Sequence, residues 1–212
     1  MLDRLKWQSL AADETLRLAK KALADWEIER LPTISFDGRI ADLPFYTRFK
    51  LAWLQLSAKD GSGTSDLLML VDKDRHFVLD GTSAPIHDAN EAEKLALTAD
   101  TAGEYIRFFC FFVYGDAGPF LIVDELLPAC CDEEANSPKR LELKEHIRPF
   151  TAQGQDTDGD FRFSGSMIYG DTLFEIVMAT SPGGTVTMVD DKAVVGDVTD
   201  DQKPALPALY PL

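Results

Sequence analysis

Asp80, Ser83 and His87 stand close together in one stretch of the chain. These are the residue types of a nucleophile relay, in which a carboxylate orients an imidazole that takes the proton of a hydroxyl. The surrounding sequence lacks the Gly-x-Ser-x-Gly elbow that exposes such a serine, and relay members usually converge from distant segments. The same stretch, Asp80-Gly81-Thr82-Ser83-Ala84-Pro85-Ile86-His87, also has loop composition. In that reading Asp80 closes an Asx-type turn and His87 satisfies backbone carbonyls. A long polar loop before an apolar segment remains the first place to seek a site. Arg107 is the second candidate, the lone charge in Tyr105-Ile106-Arg107-Phe108-Phe109-Cys110-Phe111-Phe112. A guanidinium there needs a carboxylate partner, a route by which its stem snorkels to water, or an anionic ligand.

Other motifs lead nowhere specific. Asp156-x-Asp158-Gly159-Asp160 resembles the start of a calcium loop, but the sixth and twelfth positions hold Phe161 and Met167 where glycine and a bidentate glutamate are required. It reads as an acidic turn. His76, His87 and His146 lack the spacing of zinc ligands. Gly61-Ser62-Gly63 is not followed by the lysine and helix of a phosphate loop. Cys130 and Cys131 are adjacent, cannot readily pair with each other, and sit beside Asp132, Glu133 and Glu134, which disfavour a reactive thiolate. Cys110, among phenylalanines, reads as a small core residue. The expectation is therefore no metal and no cofactor.

Elements must position whatever site exists. Leu5, Ala12, Leu16, Ala19, Leu23 and Trp26 form an apolar stripe, so residues 1–31 read as helical, with a break near Ala11 if Asp13 caps a second segment, and an end at Leu31-Pro32. Pro44 to Ser57 alternates as a strand. Asp60-Gly61-Ser62-Gly63 is a turn, and Leu67–Val71 and His76–Leu79 are short strands. Thr101 and Glu104 have capping-box form, so Tyr105–Tyr114 reads as a buried helix, although its aromatic content also suits a strand hairpinning through residues 115–118 into Phe120–Val123. Residues 129–139 read as a polar loop. Leu141, Leu143 and Ile147 alternate with charged residues as a half-wet strand. After a turn-rich break at 153–160, strands are predicted at 161–168, 172–180, 185–189 and 193–198. Pro204, Pro207 and Pro211 mark residues 201–212 as an extended tail.

The order of elements predicts one α+β domain over residues 1–200, an N-terminal helix and a buried central helix packed on a curved, mainly antiparallel sheet. In element order alone this resembles pocket-forming α+β folds such as the cystatin-like group, a likeness that implies nothing about activity. With 212 residues, 45% hydrophobic and 27% charged, the chain can bury a core without a metal or disulfide. Its three cysteines and lack of an apolar leader predict a reducing, cytoplasmic setting, and no apolar run is long enough to span a membrane. Thirty-six acidic against 21 basic residues give a net charge of -15, which argues against nucleic-acid and anionic-membrane partners. The expected function is a non-enzymatic binding or accessory protein, using an acidic surface or a small apolar pocket to take a basic protein partner or a small-molecule ligand. The alternative is a hydrolase with its site near the 80–87 loop and the 105–114 segment.

Overall fold

Residues 12–22 carry leucine and alanine at helical spacing, with acids in the first turn and lysines in the last, and they form helix α1, Ala12–Ala22. A computed structural model describes residues 2–23, 34–59, 63–126, 137–199 and 203. Within it the chain is α+β, and packing gathers it into two compact units, one within residues 1–93 and one within 94–205.

The first unit is built on a five-stranded antiparallel sheet in sequence order: β1 Gln8–Ser9, β2 Ile34–Asp42, β3 Lys50–Ala58, β4 Thr64–Val71 and β5 His76–Val78. Leu18, Ala19 and Leu23 pack on one sheet face, against Ala52, Leu54 and Leu56 of β3 and Leu67, Met69 and Val71 of β4. The helix begins at Ala11, where a break is predicted, but Ala11 rather than Asp13 is the N-cap. A short 3-10 turn and β1 occupy residues 2–9 instead of helix. The buried stripe is also rotated: Ala12 is exposed and Thr15 is buried. The reason is Gly38 of β2, which lets Thr15 come so close that an added Cβ would lie 2.4 Å from its Oγ1. β2 itself has no counterpart in the sequence reading, because Asp37 and Gly38 are poor strand formers. Neighbouring strands override that preference.

The strand predicted from Pro44 starts only at Lys50. Residues 43–49 form a loop whose Phe45, Tyr46 and Phe49 are buried. It is held by Glu93, which accepts from the Thr47 N–H at 2.9 Å, the Arg48 N–H at 3.1 Å and the Thr47 hydroxyl. Glu93 ends a helix, α2, Ala84–Glu93, where a loop is predicted. Pro85 in its first turn costs no hydrogen bond.

The second unit centres on α3, Ala99–Phe112, a helix as predicted, with Tyr105, Ile106 and Phe108 fully buried. It starts one turn earlier than expected. Thr98 is the N-cap, and its N–H donates to Thr101 Oγ1 at 3.0 Å, so Thr101 is the third helical residue. A small hairpin of β6 (Tyr114–Gly115) and β7 (Gly118–Pro119) follows. The second five-stranded sheet has β8 (Leu121–Val123), β9 (Thr151–Gln155), β10 (Phe161–Tyr169), β11 (Thr172–Thr180) and β12 (Val186–Val195), all neighbours antiparallel. β11 covers one side of β10, while β9 and β8 share the other.

Three expectations are corrected here. Residues 141–147 are not a strand: α4, Pro138–His146, is a helix capped by Ser137, whose hydroxyl accepts from the Arg140 N–H at 3.3 Å. Its buried residues, Arg140 and Leu143, with Ile147 after it, have helical spacing, whereas Leu141 is 47% exposed. The break at 153–160 includes β9, and only the turn at Asp156–Asp160 remains, with Asp156 Oδ1 accepting from the N–H groups of Asp158 and Asp160, each at 3.0 Å. Finally, 186–195 is one strand with bulges against β11 instead of two strands. Residues 24–33, the 60–62 turn, Cys130 and Cys131, and nearly all of the tail lie outside the described residues.

Candidate binding groove

The predicted site residues fall in different units. Asp80, Ser83 and His87 belong to the first, Arg107 to the second. Asp80 Oδ1 accepts from the Thr82 N–H at 2.9 Å and from its hydroxyl at 2.7 Å, which is the Asx-type turn expected of it. Ser83 offers its carbonyl to the His87 N–H at 3.0 Å, opening α2, and the exposed His87 lies in that helix rather than in a loop.

Arg107 is an internal anchor. Its side chain is 11% exposed and donates through Nη2 to Asp124 Oδ1 at 2.7 Å, with its guanidinium carbon 5.0 Å from the Phe150 ring centre. Asp124 Oδ1 also accepts from the Phe150 N–H at 2.9 Å. Phe150 stacks on Phe163 at 5.1 Å. Helix α3, the end of β8 and the approach to β9 are thereby tied together by one ion pair.

That approach crosses β10 between β8 and β9. Arg148 donates its N–H to Ser166 Oγ at 2.9 Å, and the Ser166 N–H donates back to the Arg148 carbonyl at 3.0 Å. Gly165 permits the crossing, since a Cβ there would lie 2.7 Å from Phe150 Cα. One row then runs across the sheet: Arg148 bonded to Ser166, Ser166 opposite Glu175, and Glu175 opposite Lys192. The adjacent row holds Ser164, Val177 and Asp190.

These rows line a shallow groove of about 320 Å³, formed by Arg148, Ser164, Glu175, Val177, Asp190 and Lys192 together with the backbone around them. Arg148 is fixed in place, because Nη1 donates to the carbonyls of Glu145 at 2.7 Å and Ile147 at 3.0 Å at the end of α4, leaving Nη2 and Nε uncommitted. Ser164 Oγ accepts from Gln153 Nε2 at 2.8 Å. The side chains of Glu175, Asp190 and Lys192 make no hydrogen bond or ion pair among the described residues, although Glu175 and Lys192 face each other across adjacent strands. Glu175 is half-buried on an interior strand, where an unpaired carboxylate is unfavourable.

Sequence reasoning passed over this site. The signal that singled out Arg107 was also present at Glu175, the one charge in Leu173-Phe174-Glu175-Ile176-Val177-Met178. Arg148, Asp190 and Lys192 carried no signal, because only strand pairing brings them beside it. Among the described residues no group of His, Cys, Asp and Glu is arranged to hold a metal ion. No helix there is long and apolar enough to cross a membrane. Comparison with known protein families, characterised proteins and solved structures finds no match.

Proposed function

We propose that this chain is a non-enzymatic binding protein whose recognition surface is the groove on its second sheet. The observation that carries the reading is the set of charges of both signs, Arg148, Glu175, Asp190 and Lys192, that surround one concavity without neutralising one another. Paired surface charges cost little to leave to solvent, but a half-buried carboxylate beside an uncommitted ammonium is an arrangement that a bound partner completes. The volume lies at the low end for small-molecule sites, so a small polar ligand or a few residues of a larger partner would fill it. The lining holds neither His nor Cys, and the one side-chain hydrogen bond of its serine is accepted from the Gln153 amide and not given to a base, which favours binding over nucleophilic chemistry.

The test is native mass spectrometry of the full chain purified gently from its own lysate, alongside the Glu175→Gln variant. Bound mass retained by the wild type and lost from the variant is the expected result. Equal retention by both would move the site elsewhere, and two ligand-free proteins would count against the reading.

A further inference from the structure

We propose that the groove takes a small zwitterion with well-separated charges, a peptide of two or three residues with both termini free. The inference rests on the binding reading above and concerns what is bound. The row across the sheet runs cation, hydroxyl, carboxylate, cation: Arg148, Ser166, Glu175, Lys192. A ligand with only negative charge would meet Glu175 in the middle of the row and Asp190 beside it. A ligand with only positive charge would meet Arg148 and Lys192. A ligand with one of each satisfies both, its ammonium on Glu175 and Asp190 and its carboxylate on Arg148.

Arg148 suits the carboxylate because two backbone carbonyls already hold its Nη1, so little rotamer freedom is lost when Nη2 and Nε engage an oxyanion. Spacing sets the ligand's length. Adjacent strands lie roughly 5 Å apart, so the backbones at 148 and 175 are separated by two spacings, about 10 Å. A single α-amino acid holds its charges too close together to reach both ends. Extended chain covers roughly 3.5 Å per residue, so two or three residues span the gap. Val177 adds an apolar contact between the charged ends. The outer edge of β12, which pairs only with β11 among the described residues, is a weaker host for the same peptide. Bulges at Val189 and Val194, and charges at Asp190, Asp191 and Lys192, blunt it as a strand-pairing template. The ligand therefore lies over the sheet face.

The experiment is a titration of the full chain with triglycine, N-acetyl-triglycine and triglycinamide, followed by backbone amide shifts in proton–nitrogen NMR spectra. Triglycine should shift the amides of residues 164, 175–177 and 190–192 saturably, and each capped peptide should bind at least tenfold more weakly. Glu175→Gln should weaken triglycine and shrink the penalty for acetylating its amine, so that triglycine and N-acetyl-triglycine bind nearly alike. Lys192→Gln, on an exposed edge strand, gives a second variant that preserves the fold. It removes the cation beside the ligand's ammonium, so triglycine should bind as tightly as to the wild type or more tightly. A loss as large as that of Glu175→Gln would overturn the proposed placement of the charges. Capped and free peptides binding alike would overturn the zwitterion and leave the groove as a binding site. No peptide shift, with a groove-dependent mass still seen in native spectra, would likewise overturn the ligand class alone. No shift and no bound mass would overturn both.

Discussion

Arg107 and Glu175 pose the same problem at the scale of a residue, a single charge inside an apolar run, and the fold resolves them differently. Arg107 meets Asp124 at 2.7 Å, with both side chains largely shielded. Removing Arg107 takes the cation from Asp124, so Arg107→Gln should cost about 2–3 kcal/mol in urea unfolding, somewhat below the usual figure for a fully buried pair because Asp124 keeps some solvent and its hydrogen bond from the Phe150 N–H. A loss below about 0.5 kcal/mol, typical of exposed pairs, would show that the pair is screened. Glu93 carries a second prediction. Partial burial pushes its carboxyl up, but hydrogen bonds from the Thr47 side chain and the N–H groups of Thr47, Arg48 and Phe49 outweigh that and hold it below the ordinary value of 4.5. The folded state thus prefers the ionised form. Its contribution is complete above the unfolded value and is lost as pH falls through the folded one. Thermal melting should decline in acid partly through this group, and Glu93→Gln should flatten that part of the decline while lowering stability at neutral pH.

At the scale of an element, local signals succeeded where they were redundant. The run Tyr105–Phe112 was legible as a buried helix because it is apolar on nearly every side and preceded by threonines that can cap it, although the cap is Thr98 and not Thr101. Three alternating leucine and isoleucine positions at 141–147 misled, since so short a pattern fits strand or helix. The Ser137-Pro138 start was the better guide. Contact between α1 and β2 depends on the absence of a side chain at residue 38. Gly38→Ala would place a methyl 2.4 Å from Thr15 Oγ1 and 2.7 Å from its Cγ2, so a loss of about 1–3 kcal/mol is expected. Thr15→Ala in the same chain should recover much of it. Chemical denaturation of the two single variants and the double variant measures the coupling, and strictly additive losses would mean that the helix and strand do not meet there.

For the whole molecule, the net charge of -15 is the dominant physical fact. Self-repulsion of this size destabilises the compact state and is screened by salt. The melting temperature near neutral pH should therefore rise between low and moderate sodium chloride, and solubility should be lowest near the isoelectric point of about 4.5. A melting temperature that falls with salt would mean that attractive pairs, such as Arg48 with Asp72 at 2.8 Å, outweigh the repulsion.

Composition, charge and long apolar periodicities by themselves determined the α+β class, the antiparallel C-terminal meander and the buried central helix, because each rests on side-chain patterning that local chain geometry reads directly. Only the tertiary structure decided that Arg107 is paired with Asp124, that the strands divide between two five-stranded sheets and a small hairpin, and that Arg148, Glu175 and Lys192 share one row. Strand register joins residues far apart in sequence through backbone hydrogen bonds, which every residue but proline can make, so the side chains that meet across it leave no mark on the sequence around them.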